Sequence, residues 1–187
     1  MTTPLPRARI SRRGLLLLTS AGAMSALSAC ADPTGPSAGR TSLPADVPTH
    51  GVDAEQLTMT VYKDESCGCC GGWVTHAQEH GFTITTEHPD SMASVWQDHD
   101  IPLDLQSCHL ASSPDGHLFV GHVPARHVLE YLADPPRGAR GLSVPAMPVG
   151  TPGMEQGDRF DPYSVMLITD GTPRVFARVA TPADQEV

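Results

Sequence analysis

Aromatic residues make up only 5% of the 187 positions, yet 40% are apolar, enough for one ordinary core rather than several. Basic residues are also few, 12 against 21 acidic, for a formal charge of -9. Arg7, Arg9, Arg12 and Arg13 are a third of them and no acid precedes Cys30, so residues 30 onward carry 8 basic against 21 acidic, or -13. That sign repels phosphate backbones and excludes nucleic acid as a partner. Internal repeats are absent, and so are the paired C-x-x-C or His motifs at zinc-finger spacing that mark a structural zinc site. What the chain does have is 18 Pro and 17 Gly, implying much turn and loop, together with 9 His, 7 Met and 5 Cys. Those last three are the residue types that bind soft and borderline metals.

The four early arginines precede an uncharged run from Gly14 to Leu27, too short for a bilayer-spanning helix and suited to a signal peptide over residues 1–29. Ser11-Arg12-Arg13-Gly14-Leu15-Leu16 resembles a twin-arginine export pattern without its full consensus, and Sec export is the alternative. Leu27-Ser28-Ala29-Cys30 resembles a bacterial lipobox, in which Cys30 is diacylated and becomes the mature N-terminus. The expectation is an extracytoplasmic protein held to the cell membrane by lipid at Cys30. Residues 30–56, rich in Pro and Gly with almost no apolar periodicity, read as a disordered tether, and 57–180 as the folded domain.

Within that domain Leu57–Tyr62 alternates apolar and polar and reads as a strand. Cys70, Trp73, Val74 and Ala77 then share one helical face that stops at Gly81. Phe82–Thr86 reads as a strand and Ser91–Gln97 as a capped helix, so the chain begins a βαβ unit. Ser107–Ser112 and His117–His122 flank a turn sequence and read as a hairpin; Pro124–Leu132 reads as a helix. After a Pro/Gly-rich loop, Ser164–Thr169 and Arg174–Val179 form a last hairpin around Asp170-Gly171.

Cys67, Cys69 and Cys70 fall where the first strand turns into the first helix, and Cys108 is the remaining cysteine of the domain. Backbone N–H groups and the dipole at a helix start favour thiolate, and this is the position of the redox dithiol in thioredoxin-like folds. A third sulfur is more than disulfide exchange needs. Adjacent side chains diverge, so Cys69 and Cys70 suit bridging between two or more ions better than chelating one. Structural disulfides, a structural zinc site and inert buried thiols are the competing readings. Ser107-Cys108-His109 puts a thiol and an imidazole side by side, and Gly121-His122-Val123-Pro124 sets another His at a strand end. Each His alone reads as a surface residue. Met147 and Met154 lie in a Pro/Gly loop, where thioether is either a soft ligand for Cu(I) or a gap-filler. His76 and His80, four apart, lie off the apolar face and read as solvated.

The run Val61-Tyr62-Lys63, Cys67-Gly68-Cys69-Cys70-Gly71-Gly72-Trp73, Ser107-Cys108-His109, Gly121-His122-Val123-Pro124-Ala125, Gly141-Leu142, Val144-Pro145, Met147-Pro148, Gly150, Pro152-Gly153-Met154-Glu155 and Pro162-Tyr163 resembles a bacterial family of small exported proteins. This CopG-like family, long described as a domain of unknown function, is matched over about residues 57–179. The resemblance implies an α/β, thioredoxin-like fold with an inserted hairpin and a Pro/Gly/Met loop. It also implies a copper site in which Cys67, Cys69, Cys70 and Cys108 are ligands, with Met147, Met154, His109 and His122 nearby. The function so implied is sequestration of Cu(I), more than one ion per chain, with redox cycling as part of copper resistance. The alternative is a thiol-disulfide oxidoreductase using Cys67 and Cys70. Gly141–Pro145 also resembles the thioredoxin pattern that ends in a cis-proline, which predicts Pro145 cis, facing the cysteines and bringing Met147 over them.

Overall fold

Strand β1 (Thr58–Lys63) buries every second residue, Met59, Val61 and Lys63, as its alternation requires. The coordinates, a computed structural model, describe residues 51–187, so the expected signal peptide, Cys30 and the expected tether up to residue 50 lie outside the described residues. Helix α1 (Gly68–Glu79) follows with Cys67 as its N-cap residue and buries Cys70, Trp73 and Ala77. It stops at Gly81, whose φ of +91° suits glycine, and the Phe82 amide returns to the Ala77 carbonyl at 3.1 Å. Strand β2 (Thr83–Glu87) then pairs parallel to β1, completing the βαβ unit. Helix α2 (Met92–Asp98) starts at Ser91, whose hydroxyl accepts from the Ala93 amide at 3.2 Å.

Strands β3 (His109–Ser112) and β4 (Leu118–Val120) form the expected hairpin, with β3 antiparallel to β1. Helix α3 (Ala125–Ala133) leads to β5 (Ala139–Ser143), which pairs parallel to β4. Strands β6 (Tyr163–Thr169) and β7 (Arg174–Val179) complete a seven-stranded mixed sheet in the order β2-β1-β3-β4-β5-β6-β7. The fold is therefore mixed α/β, with three helices among the described residues.

Apolar residues divide between the two faces of this sheet. One cluster joins Trp73 and Ala77 of α1 and Val128, Leu129 and Leu132 of α3 to Val61, Ala111, Phe119 and Leu142. The other packs Val95 and Trp96 of α2 on Leu110, Leu118, Val120 and Ile168. Neighbouring residues of one strand, such as Leu110 and Ala111, serve opposite faces, as strand geometry demands.

Several expectations need correction. Strand β5 falls inside the stretch that reads as a Pro/Gly-rich loop. It bulges at Gly141, where a Cβ would overlap the Leu118 carbonyl, so the glycine that disguises the strand is what lets it pair. Pro145 is not cis, since no peptide bond among the described residues is. Val52 is buried within the core, 5% exposed. Gln185, in a 3-10 turn (Pro182–Gln185), accepts from the Tyr163 hydroxyl at 2.6 Å and donates to the Gly150 carbonyl at 3.0 Å.

Candidate metal centre

Parallel and antiparallel pairing on the two sides of β1 place the start of α1 beside the start of β3. Lys63, buried at the end of β1, donates through Nζ to the carbonyls of Asp64 at 2.7 Å and Glu65 at 3.3 Å. Asp64 in turn accepts from the Ser66 amide at 2.8 Å, so the turn that presents Cys67 is tied down from both sides. The cysteines then diverge as the helix begins. Cys70 points into the core at 0% exposed, while Cys69 is half-buried.

Despite that divergence, one sulfur from each of Cys67, Cys69, Cys70 and Cys108 lies within 4.8 Å of the others. Cys67 and Cys70 are joined as a disulfide, and Cys69 and Cys108 are free. The Cys67 and Cys69 sulfurs are 3.4 Å apart, and Cys70 Sγ lies 3.8 Å from the Cys108 carbonyl.

Cys108 also belongs to a second group of ligand atoms with His109 and His122. Its sulfur is 3.0 Å from His122 Nε2 and 3.3 Å from His109 Nδ1. His122 Nδ1 lies 2.7 Å from the Pro152 carbonyl, which accepts its proton and so leaves Nε2 as a bare lone pair toward the sulfur. Both histidines are 0% exposed, which corrects their reading as surface residues. His109 packs against Trp73, ring centroids 4.7 Å apart, and its Nε2 has no hydrogen-bond partner.

Burial sets the protonation of the group. It pushes the Cys108 thiol up to about 12, helped by the charge of Cys69. It pushes both imidazoles down, His109 well below the ordinary value with His122 adding repulsion; at His122 the Pro152 bond and Glu155 oppose the shift. Neutral imidazole and a thiol that yields its proton to an incoming cation are what a borderline or soft metal requires.

The Pro/Gly loop reaches this centre through its backbone. Gly153, φ +84°, approaches α1 so closely that a Cβ would lie 2.6 Å from the Cys69 carbonyl and 2.6 Å from the Trp73 amide. Half-buried Met154 follows Gly153 in the chain. Met147 is 50% exposed. His76 and His80 stack at 4.3 Å and are half-buried rather than solvated; the Ala125 amide donates to His76 Nε2 at 3.1 Å.

Sequence reasoning missed Lys63 and the Pro152 carbonyl. Lys63 had a signal, since it takes the third inward position of β1 immediately before the cysteine turn. A backbone acceptor offers none.

A family described as "Protein of unknown function, DUF411" matches residues 105–154, which hold Cys108, His109, His122, Met147 and Met154. Fold, cysteine motif and these matches together place the chain in that CopG-like, cysteine-rich family, to which it belongs. Two solved structures are similar to it, both of a copper resistance protein, CopG. Form 1 is 38% identical with a TM-score of 0.62, over 66% of this chain and 98% of that one. Form 2 is 37% identical with a TM-score of 0.61, over 65% and 97%. No curated protein matches the chain.

Proposed function

We propose that this protein binds Cu(I) at the cell envelope through the thiolates of Cys67, Cys69, Cys70 and Cys108, as part of copper resistance. The observation that carries the proposal is the convergence of four sulfurs from two elements within 4.8 Å. Soft thiolates select Cu(I), and several of them pointing differently suit bridging of more than one ion. The name of the similar solved structures supports copper as the cargo. His109 and His122, which share Cys108 with the sulfur group, add a harder nitrogen face that tolerates Cu(II) and would serve redox cycling. Met154 and Met147 are loop candidates for further soft donors. The β1-α1-β2 unit with its dithiol at the helix start supports a thioredoxin-like ancestry for the fold. Because Cys67 and Cys70 are joined here, binding by all four thiolates requires that this disulfide first be reduced.

The test is an anaerobic Cu(I) titration of the reduced chain against a competing chelator. More than one Cu(I) per chain is expected, with tight binding lost in Cys108→Ser. A stoichiometry of one or less, or binding indifferent to Cys108→Ser, overturns the proposal. The Cys67–Cys70 disulfide favours one second reading, thiol-disulfide exchange by that pair. Fast exchange with a model disulfide, unaffected by Cys108→Ser, would support it.

A further inference from the structure

We propose that the four sulfurs form two separate two-electron stores, and that Cys69 and Cys108 close as a second disulfide while reducing two cupric ions to cuprous ions. This deepens the copper reading above and rests on it. With Cys67 and Cys70 already joined, Cys69 and Cys108 are the two free cysteines among the described residues. Each has the other as its remaining sulfur partner, and the two lie within 4.8 Å. They come from different elements, the first turn of α1 and the residue before β3, so a bond between them would lock helix to sheet beside the bond from the N-cap residue Cys67 to Cys70.

The chemistry balances without any other oxidant. Each thiol gives up one proton and one electron, the sulfurs join, and two Cu(II) take one electron each to become two Cu(I). The Cys69 proton leaves to water from its half-buried position. The Cys108 proton, on a sulfur that is also half-buried rather than enclosed, leaves to water likewise as the metal displaces it. Closing the bond also withdraws two sulfurs from the donor set. Oxidation of the second pair therefore couples cupric reduction to release of Cu(I), where the reduced site would retain it.

The full chain, reduced and handled anaerobically, is titrated with Cu(II) in the presence of bicinchoninate, which reports each Cu(I) formed. Four Cu(I) per chain are expected from the wild type, and half that from Cys69→Ser or Cys108→Ser. Free thiols are then alkylated and the chain cleaved after glutamate, which separates the Ser66–Glu79 peptide from the peptide carrying Cys108, and fragmentation of the linked peptides between Cys67, Cys69 and Cys70 assigns each partner. A Cys69–Cys108 linkage beside Cys67–Cys70 is expected in the wild type itself, whatever the variants do. A capacity that stops at two, or a map giving Cys67–Cys69 or interchain links, overturns the proposal. If that occurs in protein that still binds several Cu(I) when reduced, only this inference fails and the copper-binding reading stands. If diamide forms the second disulfide but the reduced chain binds no Cu(I), the copper reading fails, and the cupric half of this proposal with it.

Discussion

Gly153 couples loop and helix because its backbone lies where any side chain would meet the Cys69 carbonyl and the Trp73 amide. Its φ of +84° adds a conformational cost for every other residue. Gly153→Ala is expected to destabilise the fold by about 1–3 kcal/mol, and the loop must also move. Moving it draws the Pro152 carbonyl away from His122 and frees that ring from its tautomer, so Cu(I) affinity should fall as well. Gly157→Ala is the control, since Gly157 has φ +59° but nothing within 4 Å of an added Cβ. It should lower stability in urea unfolding and leave copper affinity unchanged. Equal losses of affinity in both variants would mean that strain, and not the approach to α1, is what matters.

At the level of the element, α3 begins at Pro124 without a side-chain cap of its own, and His76 from α1 supplies the acceptor for its Ala125 amide. Trp73 Nε1 donates to the Val123 carbonyl at 2.8 Å, so α1 holds the entry to α3 at two points. Only neutral His76 can accept. Burial first, and then the charge of His80, lower its pKa from 6.5 to about 4. The unfolded chain therefore binds the proton more readily: stability is fully present above pH 6.5 and is lost as pH falls toward 4. The ring is partly exposed, so the loss from this group is about 2 kcal/mol. His76→Gln keeps an acceptor that does not titrate. Its unfolding free energy should match the wild type near pH 7 and fall less steeply below pH 6.5. His109 and His122, lowered by burial too, leave an acid dependence of the same sign in both proteins.

These elements also show what was legible in the sequence. Alternation gave β1, the Ser-Pro-Asp-Gly turn gave the β3-β4 hairpin, and the apolar face gave α1 with Gly81 as its stop. Strand β5 was hidden because Gly141, placed for close approach to Leu118, is chemically a loop residue. His76 read as solvated because helical periodicity describes one helix, whereas its burial comes from α3.

For the whole molecule, the same distinction separates what was visible in the metal centre from what was not. Three cysteines within four residues announce themselves. Their meeting with Cys108, 38 residues beyond Cys70, depends on β1 pairing with β2 on one side and β3 on the other. Burial of His109 and His122 belongs to that packing, which no single segment encodes. The expected membrane connection is of another kind, because it rests on Cys30 and the sequence before it, outside the described residues. We propose that lipid at Cys30 tethers the copper-binding domain to the membrane. Among the described residues Val52 is the first packed into the core, and Cys30 is not one of the four cysteines proposed as ligands. One acyl-bearing cysteine should then set location without setting affinity. Cys30→Ala is expected to move the protein from the membrane fraction to the soluble fraction while the reduced chain binds Cu(I) as tightly as before. Mass spectrometry of the wild-type mature N-terminus should find a diacylglyceryl group on Cys30, and a mature form that begins elsewhere without lipid would end the claim.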